Sequence, residues 1–89
     1  MTDEISCWTR HIDREVRAAC RGYQSGNLQP VMDAYSALAY LCKKGLVDEK
    51  YLKVAHGQML YIFVNRFNTQ MRYEDYPLAF ELEKRWFQK

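Results

Sequence analysis

Apolar positions recur at steps of three and four through three long stretches of the chain, the spacing of one face of an α-helix. In the first, Ile5, Trp8, Ile12, Val16, Ala19 and Tyr23 form a stripe between about Asp3 and Tyr23. Thr2 or Asp3 can cap its start with a side-chain oxygen, and Gly22, Ser25, Gly26 and Asn27 form a breaker cluster at its end. The connection is short, so a second helix is expected to fold back beside the first. Asn27 is its expected N-cap, with Pro30 in the first turn, where a missing backbone N–H is harmless. Its end is marked more strongly: Lys43 and Lys44 complement the negative end of the helix dipole, and Gly45 suits the left-handed position that follows. Val31, Tyr35, Leu38 and Cys42 make its stripe. Ala34, Ala37 and Leu41 widen that arc, which predicts a central helix contacted on more than one side.

Asp48 reads as the N-cap of a third helix, with Val47 and Leu52 spaced for a hydrophobic staple. The stripe Leu52, Ala55, Met59, Ile62, Phe63, Phe67 and Met71 keeps helical spacing for about six turns. Leu60 to Val64 would also suit a buried strand, and Gly57 costs a helix interior ~1 kcal/mol relative to Ala. The chain offers no partner strand, so the helix is preferred. A turn over Tyr73-Glu74-Asp75-Tyr76-Pro77 leads to a fourth helix, with Asp75 as expected cap and Pro77 in the first turn. Leu78, Ala79, Leu82 and Trp86 form its inner stripe, and Phe80 and Phe87 lie on a neighbouring face. The fold class expected is all-α: one domain over residues 1–89, a small antiparallel helical bundle of three long helices plus a shorter C-terminal fourth.

Composition agrees with a folded domain. Hydrophobic residues at 48% and charged residues at 27% lie far from a disordered profile, and 89 residues leave no room for a second domain. Aromatic content is high at 15%, with seven Tyr, and such rings serve a core and an interface equally well. A formal charge of +2 is too small for a generic polyanion binder. Cys7, Cys20 and Cys42 are odd in number and unpaired in spacing, and the N-terminus lacks a basic and apolar leader, so a cytoplasmic protein with reduced thiols is expected. The densest apolar run, Met59 to Val64, falls short of the ~20 residues that span a bilayer.

Few residues suggest chemistry. Arg10, Arg14, Arg17 and Arg21 are spaced four, three and four, which places four guanidinium groups along one side of the first helix. Asp13 can pair locally with Arg17 and Arg10, so a solvated face competes with a partner-binding one. Cys7 and His11 stand one turn apart but find no second pair of ligands at a recognised metal spacing, and no metal or other cofactor is expected. His56 is the candidate base of the third helix, yet no serine sits in a nucleophile elbow, and neither a phosphate loop nor an HExxH pair occurs. Tyr73, Tyr76, Phe80 and Phe87 concentrate rings around the fourth helix and form the second candidate interface.

The functional expectation is a non-enzymatic interaction module of the cytoplasm, a small regulator or inhibitor that binds and blocks or bridges a protein partner or a second copy of itself. A nucleic-acid-binding regulator using the arginine stripe is the alternative. Neither a membrane nor a small-molecule substrate is expected as partner.

Overall fold

Gly45 adopts φ 72° in the computed structural model, the left-handed value expected of a residue just past a helix end. The model describes residues 2–24, 26–67 and 72–87, with side chains from Glu4 onward. Gly45 N–H donates to Cys42 O and Leu46 N–H to Leu41 O, which satisfies two carbonyls that the ended helix leaves open. Three residues later the Asp48 side chain accepts from Tyr51 N–H at 3.2 Å and starts the next helix, as expected. Position N3 of that helix is Tyr51 and not the Glu of a reciprocal capping box. The backbone N–H of Asp48 instead donates to the hydroxyl of Thr9, 2.9 Å away on the first helix. One buried Thr therefore ties the turn to an element thirty-nine residues earlier.

Four α-helices result: α1 Thr2–Arg21, α2 Gln29–Lys44, α3 Glu49–Arg66 and α4 Pro77–Phe87, with one 3-10 turn, Tyr73–Asp75, before α4. Leu60 to Val64 is helical, and no strand occurs among the described residues beyond an isolated bridge between Gln24 and Asn27. Thr9, Asp13 and Tyr23 of the first hairpin meet Asp48, His56 and Phe63 in the same order, so α1 and α3 run parallel. Trp86 and Glu83 of α4 meet Glu49 and Asn65 of α3 in reverse order. Neighbouring helices thus alternate in direction, and α2 is packed by both α1 and α4.

The core is built from Val16, Val31, Met32, Tyr35, Leu38, Leu52 and Leu60, all fully buried, with Ala79, Leu82 and Trp86 closing it from α4. Each such large side chain contributes about 1.5–3 kcal/mol on burial. Tyr23, Tyr35, Phe63 and Phe67 stack among themselves at one end, with Tyr23 and Phe63 edge to face at 5.4 Å. The Tyr35 hydroxyl keeps a polar partner inside this cluster, the Cys20 sulfur at 3.7 Å.

Several local expectations require correction. Asn27 does not cap α2: the N-cap is Leu28, without a side-chain bond, while Asn27 N–H closes the turn onto Gln24 O. Asp75 does not cap α4, because it lies inside the 3-10 turn, and Tyr76 O accepts the first helical bond from Phe80 N–H. Pro77 is still the first residue of α4. α1 ends at Arg21 and α3 at Arg66, so Tyr23 and Phe67 follow their helices, while the rest of the expected sixth turn with Met71 lies outside the described residues, as do the side chains of Thr2 and Asp3. The inward face of α3 is Leu52, His56, Gly57, Leu60, Phe63 and Val64, with Met59 exposed and Ala55 and Ile62 only half-buried. Apolar residues surround α3, so spacing alone does not choose its inner face; the partners of His56 and Gly57 do.

At Gly57 the last residues of α4 pack directly on α3. A Cβ there would stand 3.1 Å from Phe87 Cζ and 3.6 Å from Trp86 Cε3, so the missing side chain is filled by two rings. Substituting Gly57→Ala regains up to about 1 kcal/mol of helix propensity while displacing a half-exposed ring, and is expected to be nearly neutral. Gly57→Leu is expected to destabilise by about 1–3 kcal/mol in urea titration by prising α4 from α3.

Candidate functional site

The arginines of α1 face solvent, as their spacing implies: Arg10, Arg14, Arg17 and Arg21 are all exposed. They are not equivalent. Arg17 Nε lies 3.1 Å from both Asp13 oxygens, and its hydrogen bonds to Asp13 and Tyr51 hold it above its usual pKa. Arg10 does not join this pair and points a guanidinium nitrogen at the Cys7 sulfur, 3.7 Å away. Among the described residues no ion pair engages Arg10, Arg14 or Arg21.

Asp13 instead reaches inward, where His56 Nε2–H donates to its Oδ1 at 2.6 Å. Burial by itself would raise the Asp13 carboxyl, but hydrogen bonds and charge from Arg17 and His56 outweigh it and leave the group below the usual carboxylate value. His56 is 4% exposed. A general base must reach its substrate, and this imidazole is closed off between α1 and α3 with its Nε2 committed to a carboxylate. The arrangement does structural work: a buried donor is paired across two helices.

Two of the three thiols, Cys20 and Cys42, are raised by burial. Burial and the neighbouring Glu49 charge push Cys42 up to about 12, so it stays protonated. Cys7 is exposed beside Arg10, whereas His11 turns its ring edge-on to Trp8 at 5.9 Å. No group of three or more His, Cys, Asp or Glu among the described residues could hold a metal ion.

The C-terminal rings divide between two places. Tyr73 and Phe80 stack edge to face at 5.8 Å at the start of α4, and Tyr73 donates to Glu81 at 2.6 Å. Phe80 and Tyr76 are half-buried against the core; Tyr73 is exposed. Phe87 stands at the far end of α4, packed at 5.4 Å on Tyr61 of α3 and partly exposed. Tyr73, Tyr76 and Phe80 thus form one group, and Phe87 belongs to another.

A surface that spacing did not single out lies between α1 and α2, where a groove of about 760 Å³ opens along the bundle. Trp8, Ile12, Ala18 and Ala19 form one bank; Pro30, Ala34, Ala37 and Leu41 form the other. Trp8 is 40% and Tyr40 48% exposed at its edges, and Lys44 sits 5.6 Å above the Tyr40 ring. Trp8 and Ile5 belong to the inner stripe of α1 by spacing, but the structure leaves them uncovered. The bundle is only 20 Å across its shortest dimension, about two helix layers at ~8–10 Å spacing, so no further helix lies over this seam. The widened apolar arc of α2, Ala34 and Ala37, was the signal in the sequence: it lines this groove instead of receiving a third helix.

No helix among the described residues is long and apolar enough to cross a membrane. Compared with family models, curated proteins and solved structures, the chain matches none, so geometry alone carries the functional reading.

Three measurements probe these assignments. Asp13→Ala leaves His56 buried without its acceptor and is expected to cost about 1–3 kcal/mol, whereas Arg14→Gln with Arg17→Gln should leave the melting temperature nearly unchanged. Because the folded carboxyl of Asp13 lies below its unfolded value of about 3.9, its stabilisation is complete above that pH and is lost as pH falls through the folded value. The Asp13→Ala variant should therefore show a shallower loss of stability below pH of about 4 in acid titration. Thiol alkylation of the native chain should modify Cys7 first, with Cys42 reacting only on unfolding.

Proposed function

We propose that the chain is a small protein-interaction module, a regulator that binds a protein partner through the α1/α2 groove and blocks or bridges it. The observation that carries this reading is the pair of exposed rings, Trp8 and Tyr40, standing over a floor of alanines. Trp and Tyr are the residue types that dominate binding energy, and small residues between two helices let a partner backbone approach closely. The sealed position of His56 and the protonated Cys42 favour binding over catalysis.

Arg10, Arg14 and Arg21 favour a second reading, a nucleic-acid-binding regulator, because they present cations on one exposed face without an ion pair. Three phosphate contacts would give a salt slope of only about −2.7 in log affinity, too weak to hold a duplex by itself. Protein binding in the groove is the stronger reading.

Affinity capture with Ala37→Arg and Tyr40→Ala tests it, since both positions are exposed and the fold should survive by circular dichroism. The groove variants are expected to lose the captured partner, and Arg14→Gln with Arg21→Gln to keep it. Loss only in the arginine variant, together with a salt-sensitive mobility shift of duplex or single strand, would transfer the function to the α1 arginines.

A further inference from the structure

The chain has a net charge of +2, yet the groove is acidic. Glu15 rises from its α1 bank beside His11, and Asp33 from its α2 bank; neither lysine nor arginine is among the lining residues, and Lys44 stands over Tyr40 at the edge. A second apolar surface has the opposite sign. Where α3 meets the end of α4, Val54, Tyr61 and Phe87 gather beside Lys50 and Lys53, with no carboxylate among the lining residues. Val54 is 87% exposed. Phe87 is held there on both sides, by Tyr61 at 5.4 Å and by the bare backbone of Gly57, so the patch is a fixed feature of two packed helices.

We propose that the occupant of the groove, in the absence of another partner, is the lysine-flanked patch of a second copy of this chain. Val54, Tyr61 and Phe87 lie against the alanine floor, and Lys50 and Lys53 stand opposite Glu15 and Asp33. The apolar contact supplies most of the association, and the charges select its register, since exposed ion pairs add little while like charges brought together are strongly unfavourable. The contact joins different surfaces on the two copies, so each pair retains one open groove and one open patch. Copies therefore add head to tail unless a ring closes. Self-association covers the groove proposed above for a protein partner and competes with it.

Sedimentation of the full chain over a wide concentration range tests the proposal. The wild type is expected to grow beyond a dimer with concentration. Glu15→Lys with Asp33→Lys, and separately Lys50→Glu with Lys53→Glu, should each weaken association at least about tenfold, and mixing the two variants should restore it. Val54→Glu and Ala37→Arg should each be monomeric alone. Mixed, they should form a one-to-one pair that grows no further, because one supplies the groove and the other the patch. A wild type that stays monomeric at its highest soluble concentration overturns the proposal, as does association indifferent to both charge reversals. Partner capture separates this from the preceding reading: Val54→Glu should retain the partner, and a wild type that is monomeric but loses its partner through Ala37→Arg refutes self-association alone.

Discussion

The bond from His56 to Asp13 sets the rotation of α1 against the rest of the bundle. With Asp13 turned to α3, Ile12 and Val16 are left for the core, and everything else on α1 follows by angle. The arginines come to lie on the side away from the core. Trp8, Glu15 and Ala18 come to line the seam with α2. One hydrogen bond between buried or nearly buried groups thus goes with the rotation that leaves these residues of the first helix uncovered. The Thr9 hydroxyl on the Asp48 backbone acts one turn away and keeps the same rotation.

Most polar groups inside so small a bundle are matched, and among the described residues the Ser36 hydroxyl is the exception, buried without a partner. Burying an amide, imidazole or carboxylate without a partner costs several times what a made hydrogen bond returns. His56 has Asp13, the Asp48 N–H has Thr9, and the buried Glu83 accepts from Asn65 at 3.0 Å. Glu49, in the first turn of α3, accepts from both Arg85 and Trp86 Nε1 and so holds the end of α4 where the positive end of the α3 dipole favours a carboxylate. These contacts join α1 to α3 and α3 to α4, while α2 is held chiefly by apolar packing.

A chain of this length buries roughly 60–65% of its unfolded surface, which limits how many of its rings can be interior. Tyr35 and Trp86 are inside, Tyr76 and Phe80 are at the margin, and Trp8, Tyr40, Tyr61 and Phe87 are left at the surface. Tyr51 and Tyr73 are exposed elsewhere, and the other four surface rings gather in two places. Trp8 and Tyr40 flank an acidic groove, and Tyr61 and Phe87 join Val54 in a basic patch. These two uncovered apolar surfaces differ in the charge of the side chains that line them.

The residues by themselves determined the four helices, their order and most of their ends, because those features depend on neighbours in the chain. Gly45 stops α2 through its own backbone freedom, Asp48 starts α3 through a bond three residues away, and Pro77 starts α4 by lacking an N–H. Asn27 and Asp75 show the limit even there, since both carry suitable side chains and the chain turns a residue later in each case. Which face of a helix is covered was a different matter. α3 is apolar nearly all round, and only the reach of Asp13 across forty-three residues and the fit of Phe87 onto Gly57 turned Leu60 and His56 inward and Met59 outward. Trp8 and Ile5 keep the spacing of a core stripe and are exposed for the same reason: periodicity states that one face is apolar, and only the packing of other helices states how far along that face the cover extends.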